Sequence, residues 1–485
     1  MASDSFSALA ASIGRNLAPS GRPVVCVQGL GFVGSAMALA VASARDPKTD
    51  QPRYDVIGVE LPTPEGRAKV HAVNAGELPV RSSDPKMAEA MARARSTGNL
   101  IAVTSDKAYR LATVAVIDVR LDLLQENGKP QVQYDGLKAA VRSVAERVPE
   151  GALLIVETTV PPGTCEKVLA PEIDAVTAKR GLPPKSILLA HSYERVMPGS
   201  EYFDSIVNFW RVYSGHTVAA ADACERFLSG VVNAEKYPLT RVGSTTASEM
   251  GKVLENSYRA MTIAFMEEWG RFAEELNVDL MEVVSAIRKR PTHSNIRQPG
   301  FGVGGYCLTK DPLFASVAAR DLFGLPETVD FPFCKEAVAA NNAMPIRCLN
   351  RLEALLGSLK GKRLVLLGVS YRQDVADTRY SPSEDFVREA EKRGATVACH
   401  DPLVVHWTEL DRKLEPQLPD PAAADAVVFA VPHREYQTLD VVSWLGKSRP
   451  VMFDGNAVLS KPQRAALTKA GARVFSIGRG EEAAS

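Results

Sequence analysis

The feature that most constrains the fold is a set of glycines directly after a short apolar run near the start of the chain. Val24-Val-Cys-Val-Gln28 is followed by a helical stretch of small residues, and between them stands Gly29-Leu-Gly31-Phe32-Val33-Gly34. Glycines at this spacing let a pyrophosphate approach the backbone, while the helix N-terminus supplies partial positive charge. The pattern predicts a dinucleotide site formed by Gly29, Gly31, Phe32, Val33 and Gly34.

An acid at the end of the next apolar run extends this prediction. Tyr54-Asp-Val-Ile-Gly-Val-Glu60 ends in a carboxylate placed to accept hydrogen bonds from an adenosine ribose. A carboxylate repels a 2′-phosphate, whereas Arg67 and Lys69, which follow closely, are able to receive one. We expect NAD as the cofactor.

Strand-like and helical runs alternate up to about residue 243, which predicts a parallel doubly wound sheet. Such sheets bind ligands at the carboxyl ends of their strands. The run at residues 153–159 ends there in Thr159. Another run, at residues 187–190, leads into Glu194-Arg195-Val196, where Glu194 is either a surface acid or part of a site.

After Gly243 the periodicity becomes that of a long helix. Thr246-x-x-Glu249 matches a capping box, and apolar residues keep helical spacing until about residue 277. Lys252 and Asn256 stand four residues apart and therefore share a face of this helix.

A glycine-rich loop with a thiol follows. It reads Pro299-Gly-Phe301-Gly302-Val-Gly304-Gly-Tyr-Cys307-Leu-Thr-Lys310-Asp311. A thiolate attacks carbonyl carbon, a lysine beside it stabilises negative charge, and an aspartate orients water or takes a proton. These are the parts of a covalent aldehyde oxidation, and the alternative is a glycine-rich turn that ends in an ordinary buried cysteine.

A second alternating region begins near residue 362 and lacks the Gly-x-Gly-x-x-Gly pattern. We infer a second Rossmann-like sheet with a different ligand. Between its first strand and helix lies a loop with Arg372 and Arg379, from which a basic side chain could reach the cysteine loop.

Composition excludes several classes of protein. The 485 residues contain 57 basic and 57 acidic side chains, so nothing favours nucleic acid or an anionic membrane as partner, and no apolar run has the length of a membrane span. Seven scattered cysteines without Cys-x-x-Cys spacing indicate reduced thiols, a cytoplasmic location and no metal site. The first 20 residues lack a signal-peptide pattern and are interpreted as a loose arm or an extra helix.

Taken in order, these stretches resemble the nucleotide-sugar 6-dehydrogenase family of UDP-glucose, GDP-mannose and UDP-N-acetylhexosamine dehydrogenases. The resemblance extends over roughly residues 23 to 480. It rests on the glycine pattern at 29–34, Thr158-Thr159-Val-Pro, Ser192-Tyr-Glu194-Arg195-Val196, Lys252 with Asn256, the Cys307 loop, and Asp377-Thr-Arg379-x-Ser-Pro.

The resemblance implies that NAD takes a hydride from the sugar C6 alcohol and that Cys307 captures the aldehyde. A second NAD oxidises the adduct to a thioester, which water cleaves. It also implies catalytic roles for Lys252 and Asn256 at the C6 oxygen, for Asp311 and Thr159 in positioning water, and for Glu194 as acid and base. The implied substrate-binding residues are Glu194, Arg195, Val196, Lys252, Asn256, His293, Phe301, Gly302, Gly304, Arg372 and Arg379.

The resemblance further implies two Rossmann-like α/β domains joined by a long central helix. We predict an N-terminal arm at 1–22, an NAD-binding domain at 23–243, a central helical dimerisation domain with the cysteine loop at 244–358, and a UDP-sugar-binding domain at 359–485. A homodimer or higher homo-oligomer is expected through the central helix.

Four departures from the family pattern bear on cofactor and substrate. Arg120-Leu121-Asp122 falls where Thr-Pro is usual, His293 replaces an arginine that acts in the neighbouring subunit, Tyr193 replaces a proline, and Arg372 replaces a lysine. The glutamate and glycine loops resemble the UDP-N-acetylhexosamine branch, whereas Lys310 resembles the UDP-glucose branch. We favour a UDP-N-acetylhexosamine, with UDP-glucose or GDP-mannose as alternatives.

Two other classes of protein remain open on the sequence. A non-catalytic sugar-nucleotide-binding relative fits the altered segment at 120–122 but not the combination of Cys307, Lys252 and Asp311. A two-electron 3-hydroxyacid-type dehydrogenase fits the helical Lys and Asn but has no use for the cysteine or for a second α/β domain.

Overall fold

Ten strands and nine helices precede residue 276 in the part of the chain that the computed structural model describes, residues 5–126 and 128–479. The strands are β1 Val24–Gln28, β2 Asp55–Val59, β3 Leu100–Val103, β4 Ala112–Ile117, β5 Leu123–Glu126, β6 Lys129–Val132, β7 Leu153–Val156, β8 Leu188–Tyr193, β9 Val212–Gly215 and β10 Thr240–Arg241. The helices are α1 Phe6–Ser12, α2 Phe32–Ser43, α3 Pro64–Ala75, α4 Pro85–Thr97, α5 Asp135–Ala145, α6 Ala170–Lys179, α7 Asp204–Val207, α8 Val218–Ser229 and α9 Thr245–Glu275.

The remaining elements run from residue 280 to residue 476. The helices are α10 Leu280–Ile287, α11 Phe314–Val317, α12 Pro332–Leu356, α13 Pro382–Lys392, α14 Arg434–Thr438, α15 Val441–Leu445 and α16 Lys461–Lys469. The strands are β11 Arg363–Leu367, β12 Thr396–His400, β13 His406–Trp407, β14 Arg412–Lys413, β15 Ala426–Phe429, β16 Val451–Asp454 and β17 Val474–Ser476.

Two compact units share these elements. The first unit contains the chain up to Val253 together with Phe314–Asp330, and the second contains Leu254–Leu313 together with the chain from Phe331. The division between them falls inside α9. The four-segment division into domains given above stays a prediction.

The first unit is built on a sheet with the strand order β10-β9-β8-β7-β4-β1-β2-β3. Its pairs are parallel except for β8 with β9. Apolar clusters cover both faces, which explains why strands such as β1 and β7 are apolar at nearly every position. The predicted doubly wound α/β fold is confirmed, and its strand order reverses between β1 and β4.

The second unit has a smaller, wholly parallel sheet with the order β12-β11-β15-β16-β17. Here too an apolar cluster lies on each face. The predicted second Rossmann-like sheet is therefore present, and its crevice lies where the order reverses between β11 and β15.

The N-terminal segment contains a helix rather than a wholly loose arm. Ser5 caps α1, and Phe6 and Ala10 of that helix pack into the core of the first unit. Arg15 donates a hydrogen bond to the Leu100 carbonyl at 2.7 Å. Residues 1–4 of the predicted arm lie outside the described residues.

The capping box predicted at Thr246 and Glu249 is wrong. The Ser244 hydroxyl caps α9 by accepting the Ala247 N–H at 3.1 Å. The buried Glu249 carboxylate instead accepts the backbone N–H groups of Gly163 at 2.6 Å and Cys165 at 2.7 Å. A tertiary contact to the loop after β7 thus replaces the local one.

The buried Glu249 carboxyl is expected to make stability depend on pH. Burial raises the pKa of Glu249 to about 7, above its ordinary value of 4.5. Between these values the folded state binds more protons than the unfolded state, so stability falls as pH rises and the loss is complete above about 7. The Glu249→Gln variant should not show this loss. Its free energy of unfolding, compared with that of the wild type, should therefore increase by up to about 3 kcal/mol between pH 5 and pH 8.

Urea unfolding of the wild type and Glu249→Gln at both pH values measures this difference. Glu255→Gln, at an exposed position of the same helix, is the matched control. A stability difference between wild type and Glu249→Gln that stays constant with pH would contradict the prediction.

Candidate active site

The glycine loop after β1 has the geometry of a dinucleotide cradle. Gly29 has φ +89°, and a Cβ there would stand 2.5 Å from the Asp118 carbonyl oxygen. A Cβ on Gly34 would stand 1.8 Å from the Gly29 carbonyl oxygen, whereas a Cβ on Gly31 would have no heavy atom within 4 Å. Gly31 also begins α2 without a side-chain cap. The loop is therefore closed by its neighbours and open toward a ligand, which fits a pyrophosphate at the helix N-terminus.

Two further predicted cofactor contacts, Phe32 and Val33, form the first turn of α2. The Phe32 carbonyl accepts a hydrogen bond from the Tyr202 hydroxyl. This bond helps to hold the first turn of the helix in place beside the loop.

Glu60 follows β2 directly and is oriented by the same loop. Its Oε1 accepts the Leu30 N–H at 2.6 Å. Lys69 lies 3.4 Å from Glu60 and 2.9 Å from Glu65, and Arg67 donates to the Pro62 carbonyl. Lys69 is thus paired with acids and Arg67 with a carbonyl, and the prediction that the Glu60 carboxylate discriminates between cofactors can be tested.

NAD should exceed NADP by more than tenfold in kcat/KM, because Glu60 accepts ribose hydroxyls and repels a 2′-phosphate. Steady-state kinetics with both cofactors measures this ratio. Glu60→Gln should narrow it severalfold, whereas Glu65→Gln, which touches Lys69 but not the loop, should leave it unchanged. Equal use of the two cofactors by the wild type would show that Lys69 and Arg67 accept the phosphate.

The loop after β7 brings Thr158 and Thr159 to the carboxyl edge of the first sheet. Thr158 Oγ1 donates to the Val119 carbonyl at 2.8 Å and so ties this edge to the end of β4. Thr159 follows, half-buried. In the segment that departs from the family pattern, Leu121 is buried and Arg120 and Asp122 form an exposed ion pair at 3.8 Å.

Sequence reasoning missed a buried charged cluster under this edge. Arg211 forms a buried ion pair with Glu157, and Asp118 lies against Glu157. Burial and the neighbouring Glu157 raise the pKa of Asp118 well above its ordinary value. The cluster lies directly beneath the glycine loop, since the Asp118 side chain packs at Gly34. Its members are 39 to 93 positions apart, so no local signal identifies them.

Lys252 and Glu194 lie together in the first unit. The Lys252 ammonium donates to the Glu194 main-chain carbonyl at 2.7 Å and lies 3.7 Å from Glu194 Oε1. The Glu194 carboxylate also accepts the Val196 N–H. Arg195 donates to the Trp210 carbonyl at 2.6 Å. Of the two fates proposed for Glu194, the surface acid is excluded, because this side chain is nearly buried.

In the second unit the cysteine loop presents its thiol to solvent. Cys307 is exposed, whereas Cys26, Cys165, Cys224, Cys348 and Cys399 are buried and Cys334 is intermediate. Burial raises the pKa of each buried thiol, that of Cys399 to about 11. The alternative of an ordinary buried cysteine at position 307 is therefore wrong.

The glycines of this loop allow a close approach to the loop after β11. A Cβ on Gly304 would stand 2.3 Å from the Tyr380 carbonyl oxygen, and one on Gly305 would stand 2.8 Å from the Tyr371 ring. Gly302 has φ +113°. The Gly305 N–H donates to the Arg379 carbonyl at 3.2 Å. The two loops are thus in contact through their backbones within this unit, and the expectation that a basic side chain of Arg372 or Arg379 reaches the cysteine loop stays a prediction.

Asp311 organises the polar groups beside the thiol. Its Oδ2 accepts the Asn256 amide N–H and its Oδ1 accepts the Lys310 ammonium, each at 2.8 Å. The Lys310 ammonium also lies 4.3 Å from the centre of the Tyr306 ring. Asp311 is fully buried. Asn256 and Asp311, two of the residues that the resemblance named, are therefore in contact, and Lys310 balances the charge of Asp311.

Three arginines add positive charge around Cys307. Removal from water and the charges of Arg297 and Arg372 lower the pKa of Arg259, whereas the electrostatic effect of Cys307 raises it. Cations beside a cysteine favour its thiolate. Arg259 and Arg297 were missed from the sequence, although Arg259 follows Lys252 and Asn256 at positions i+7 and i+3 of the same helical face.

The other predicted substrate contacts have different surroundings. The Phe301 side chain lies in the core of the second unit, 2% exposed and against Phe386, so only its backbone can face a ligand. Arg379 is paired with Asp377 at 2.6 Å, and His293 is exposed beside Thr292 at 2.9 Å.

A buried network holds the loop after β11. His433 Nε2 lies 2.9 Å from Ser370 Oγ and 3.1 Å from Asp401 Oδ2, and His433 Nδ1 accepts the Asp374 N–H at 3.0 Å. Burial by itself would raise the pKa of Asp401, but the hydrogen bond from His433 keeps this pKa below its ordinary value. The network fixes the segment that carries Arg372 at the crevice of the second sheet.

A dinucleotide cradle on one sheet and an exposed thiol with Asp, Lys and Asn neighbours define an NAD-dependent dehydrogenase. Three domain models of a single family match in order: the NAD binding domain at 24–227, the central domain at 246–343 and the UDP binding domain at 365–461. The chain therefore belongs to the UDP-glucose/GDP-mannose dehydrogenase family and is an NAD-dependent nucleotide-sugar dehydrogenase. The family resemblance and the NAD cofactor predicted from the sequence are confirmed.

Curated relatives match along nearly the whole chain. UDP-N-acetyl-D-mannosamine dehydrogenase of Pyrococcus horikoshii is 29% identical over 465 residues, with 94% of this chain and 99% of the relative covered. The protein of the same name from Methanocaldococcus jannaschii is 27% identical, with 95% and 97% covered. NDP-N-acetyl-D-galactosaminuronic acid dehydrogenase of Ralstonia nicotianae is 28% identical, with 86% and 92% covered.

Solved structures show the same fold. The UDP-D-ManNAc dehydrogenase of Pyrococcus horikoshii aligns with a TM-score of 0.79 at 28% identity, covering 94% of this chain and 99% of that chain. A UDP-glucose dehydrogenase from Pyrobaculum islandicum aligns with a TM-score of 0.77 at 25% identity, covering 96% and 100%.

Within residues 5–126 and 128–479, no helix is both long and apolar enough to cross a membrane. Over the same ranges, no group of three or more His, Cys, Asp or Glu side chains is arranged to hold a metal ion.

Proposed function

We propose that this enzyme oxidises the C6 alcohol of a UDP-N-acetylhexosamine to the carboxylate in two oxidations, with Cys307 as the covalent nucleophile. The observation that carries this proposal is the exposed Cys307 thiol on a loop that also holds the Asp311, Lys310 and Asn256 cluster. NAD, when bound, supplies the hydride acceptor for both oxidations.

In the first oxidation the C6 carbon loses a hydride and its hydroxyl loses a proton. Glu194 takes this proton, directly or through water, and the Lys252 ammonium stabilises negative charge on the C6 oxygen. Asn256, one helical turn further along α9, adds an amide donor for the same oxygen. Lys252 is held for this task by its hydrogen bond to the Glu194 carbonyl at 2.7 Å.

In the second oxidation the Cys307 thiolate forms a carbon–sulfur bond to the aldehyde. The oxyanion of this adduct then loses a hydride to give a thioester. Water positioned by Asp311 and Thr159 attacks the thioester, the carbon–sulfur bond breaks, and the thiol and the carboxylate are released. Asp311, whose carboxylate accepts a hydrogen bond from Lys310, is assigned as the acceptor of the proton from this water.

The nucleotide is assigned to the second unit. Arg379 and Arg372 lie on the loop that the Ser370–His433–Asp401 network holds at the sheet crevice. The backbone of Gly302, Gly304 and Phe301, together with Arg195 and Val196, is assigned to the sugar, and His293 to a neighbouring subunit's site. The activities for which the relatives are named support an N-acetylhexosamine.

Product analysis with UDP-N-acetylmannosamine, UDP-N-acetylglucosamine and UDP-glucose tests the proposal. We expect two NADH and one uronic acid per sugar, with kcat/KM highest for an N-acetyl sugar because glucose leaves the amide partner in the pocket unpaired. A higher kcat/KM for UDP-glucose would overturn the sugar assignment, and one NADH per sugar with aldehyde released would overturn the covalent mechanism.

A homodimer through α9 is part of this proposal. Phe265, Trp269 and Phe272 are each about half exposed, and their rings form a ladder with centroids 6.3 Å and 6.1 Å apart. Met266 and Ala273 are buried on another face of the helix. An aromatic row of this kind on one face of a long helix is typical of an interface.

Light scattering at micromolar concentration should therefore give at least twice the mass of one chain. Trp269→Glu should lower the measured mass toward that of a single chain, because a charge would be buried in the interface. Val405→Glu, at an exposed apolar position away from α9, is the control. A wild type with the mass of one chain would contradict the dimer.

A further inference from the structure

Tyr193, the last residue of β8, places one aromatic ring between two cations of the candidate site. The Lys252 ammonium lies 5.6 Å from the ring centroid, and the Arg195 guanidinium carbon lies 5.2 Å from it. Arg195 also donates to the Tyr193 hydroxyl at 3.3 Å. Tyr193 is 3% exposed, so these contacts are made largely away from water, where the attraction between a cation and a ring is strongest.

The ring also lies against the helix that carries Lys252. A Cβ on Gly251 would stand 3.4 Å from the Tyr193 hydroxyl oxygen and 3.5 Å from its ring, which are ordinary van der Waals distances. The ring therefore lies directly against the turn of α9 that precedes Lys252.

Glu194 and His191 also lie near the Lys252 ammonium in the first unit. Glu194 contributes its main-chain oxygen at 2.7 Å and its carboxylate at 3.7 Å. Burial and Lys252 lower the pKa of His191 to about 3, so this residue is neutral, and its Nδ1 is hydrogen-bonded to Ser248 at 2.7 Å. The Tyr193 ring lies near the cations of both Lys252 and Arg195.

We propose that Tyr193 is a positioning residue that keeps Lys252 in its charged form and couples its position to that of Arg195. This inference rests on the proposed function, in which the Lys252 ammonium stabilises charge on the C6 oxygen. Tyr193 itself touches neither the substrate nor the cofactor in this scheme and acts through the two cations.

Two substitutions at position 193 separate the ring from its hydroxyl. Tyr193→Leu removes both ring contacts, so the basic limb of the pH profile of kcat should move to lower pH by about one unit. At pH values above the basic limb of both proteins, its kcat should fall by up to about tenfold relative to the wild type. Tyr193→Phe keeps the ring, so its basic limb should stay within about 0.3 pH units of the wild type, with KM raised about two- to threefold through Arg195.

Phe209→Leu is the matched control, because it removes the other aromatic ring near Arg195, whose guanidinium carbon lies 5.9 Å from the centroid of the Phe209 ring. This variant should change KM and leave the pH profile of kcat in place. If Tyr193→Leu does not fold, as judged by its thermal transition, Tyr193→Met retains more volume and tests the same loss of the ring.

An activity-independent measurement separates this inference from the proposed function. The pH dependence of Lys252 acetylation by acetic anhydride, quantified by peptide mass spectrometry, should shift to lower pH in Tyr193→Leu but not in Tyr193→Phe or Phe209→Leu. Retained activity in Lys252→Met would remove the proposed catalytic role of Lys252. The shift in the acetylation profile would still support the inference about Tyr193 in that case. An acetylation profile in Tyr193→Leu identical to the wild type would overturn the inference.

Discussion

Cys307→Ser is expected to lower the rate of carboxylate formation by at least about a thousandfold. A serine hydroxyl is far less ionised than a thiol at neutral pH, so it adds poorly to the aldehyde, and the oxygen ester that it would form is cleaved by water more slowly than a thioester. Aldehyde or a covalent adduct should accumulate. Single-turnover mixing with mass spectrometry of the intact protein and of the small products measures both.

The matched control is Cys334→Ser. Cys334 is partly exposed, whereas the five cysteines other than Cys307 and Cys334 are buried, and it lies outside the candidate site. This variant should retain the activity of the wild type. Carboxylate production by Cys307→Ser at a near-normal rate would eliminate the covalent mechanism while leaving the family assignment in place.

Lys252→Met is expected to lower kcat by about a hundred- to a thousandfold, the range found when a single donor to a developing oxyanion is removed. Methionine has nearly the same length but carries no charge, so packing is largely preserved while stabilisation of the C6 oxygen is lost. The dissociation constant for NAD, measured by fluorescence titration, should stay within about twofold, since the hydrogen bond and the ion pair of Lys252 are to Glu194 and the proposed role of Lys252 is at the C6 oxygen.

Lys236→Met provides the control for Lys252→Met, because Lys236 also lies over an aromatic ring, that of Tyr237 at 5.3 Å, but outside the candidate site. Its kcat should equal that of the wild type. If Lys252→Met weakens NAD binding as strongly as it lowers kcat, the lysine supports the fold of the unit and is not an oxyanion donor.

The parts of the protein that the sequence predicted well are those specified by neighbouring residues. The glycine loop needs backbone space at fixed spacing after a strand, and Glu60 stands at the end of the next strand, so both follow from short segments. Strands such as β1, β2, β7 and β8 were found for the same reason, because a buried parallel strand is apolar throughout, whereas β3, β9 and β10 were not predicted.

The errors arose where residues distant in the chain compete for a side chain. Glu249 matches a local capping box, but two backbone N–H groups of the loop after β7 bind its carboxylate. Phe301 stands in the glycine loop, yet its side chain faces the core. The cluster of Asp118, Glu157 and Arg211 forms only when the ends of separate strands meet, so it had no signal in the sequence.

The distribution of thiols in this protein provides a direct way to count functional molecules in a preparation. Five of the seven cysteines are buried with raised pKa values, and Cys307 alone is exposed. In a Cys334→Ser background, a chromogenic thiol reagent should label one group per folded chain. The reagent would then serve as an active-site titrant, and the labelled fraction would convert a measured rate into a turnover number without any assumption about how much of the sample is intact.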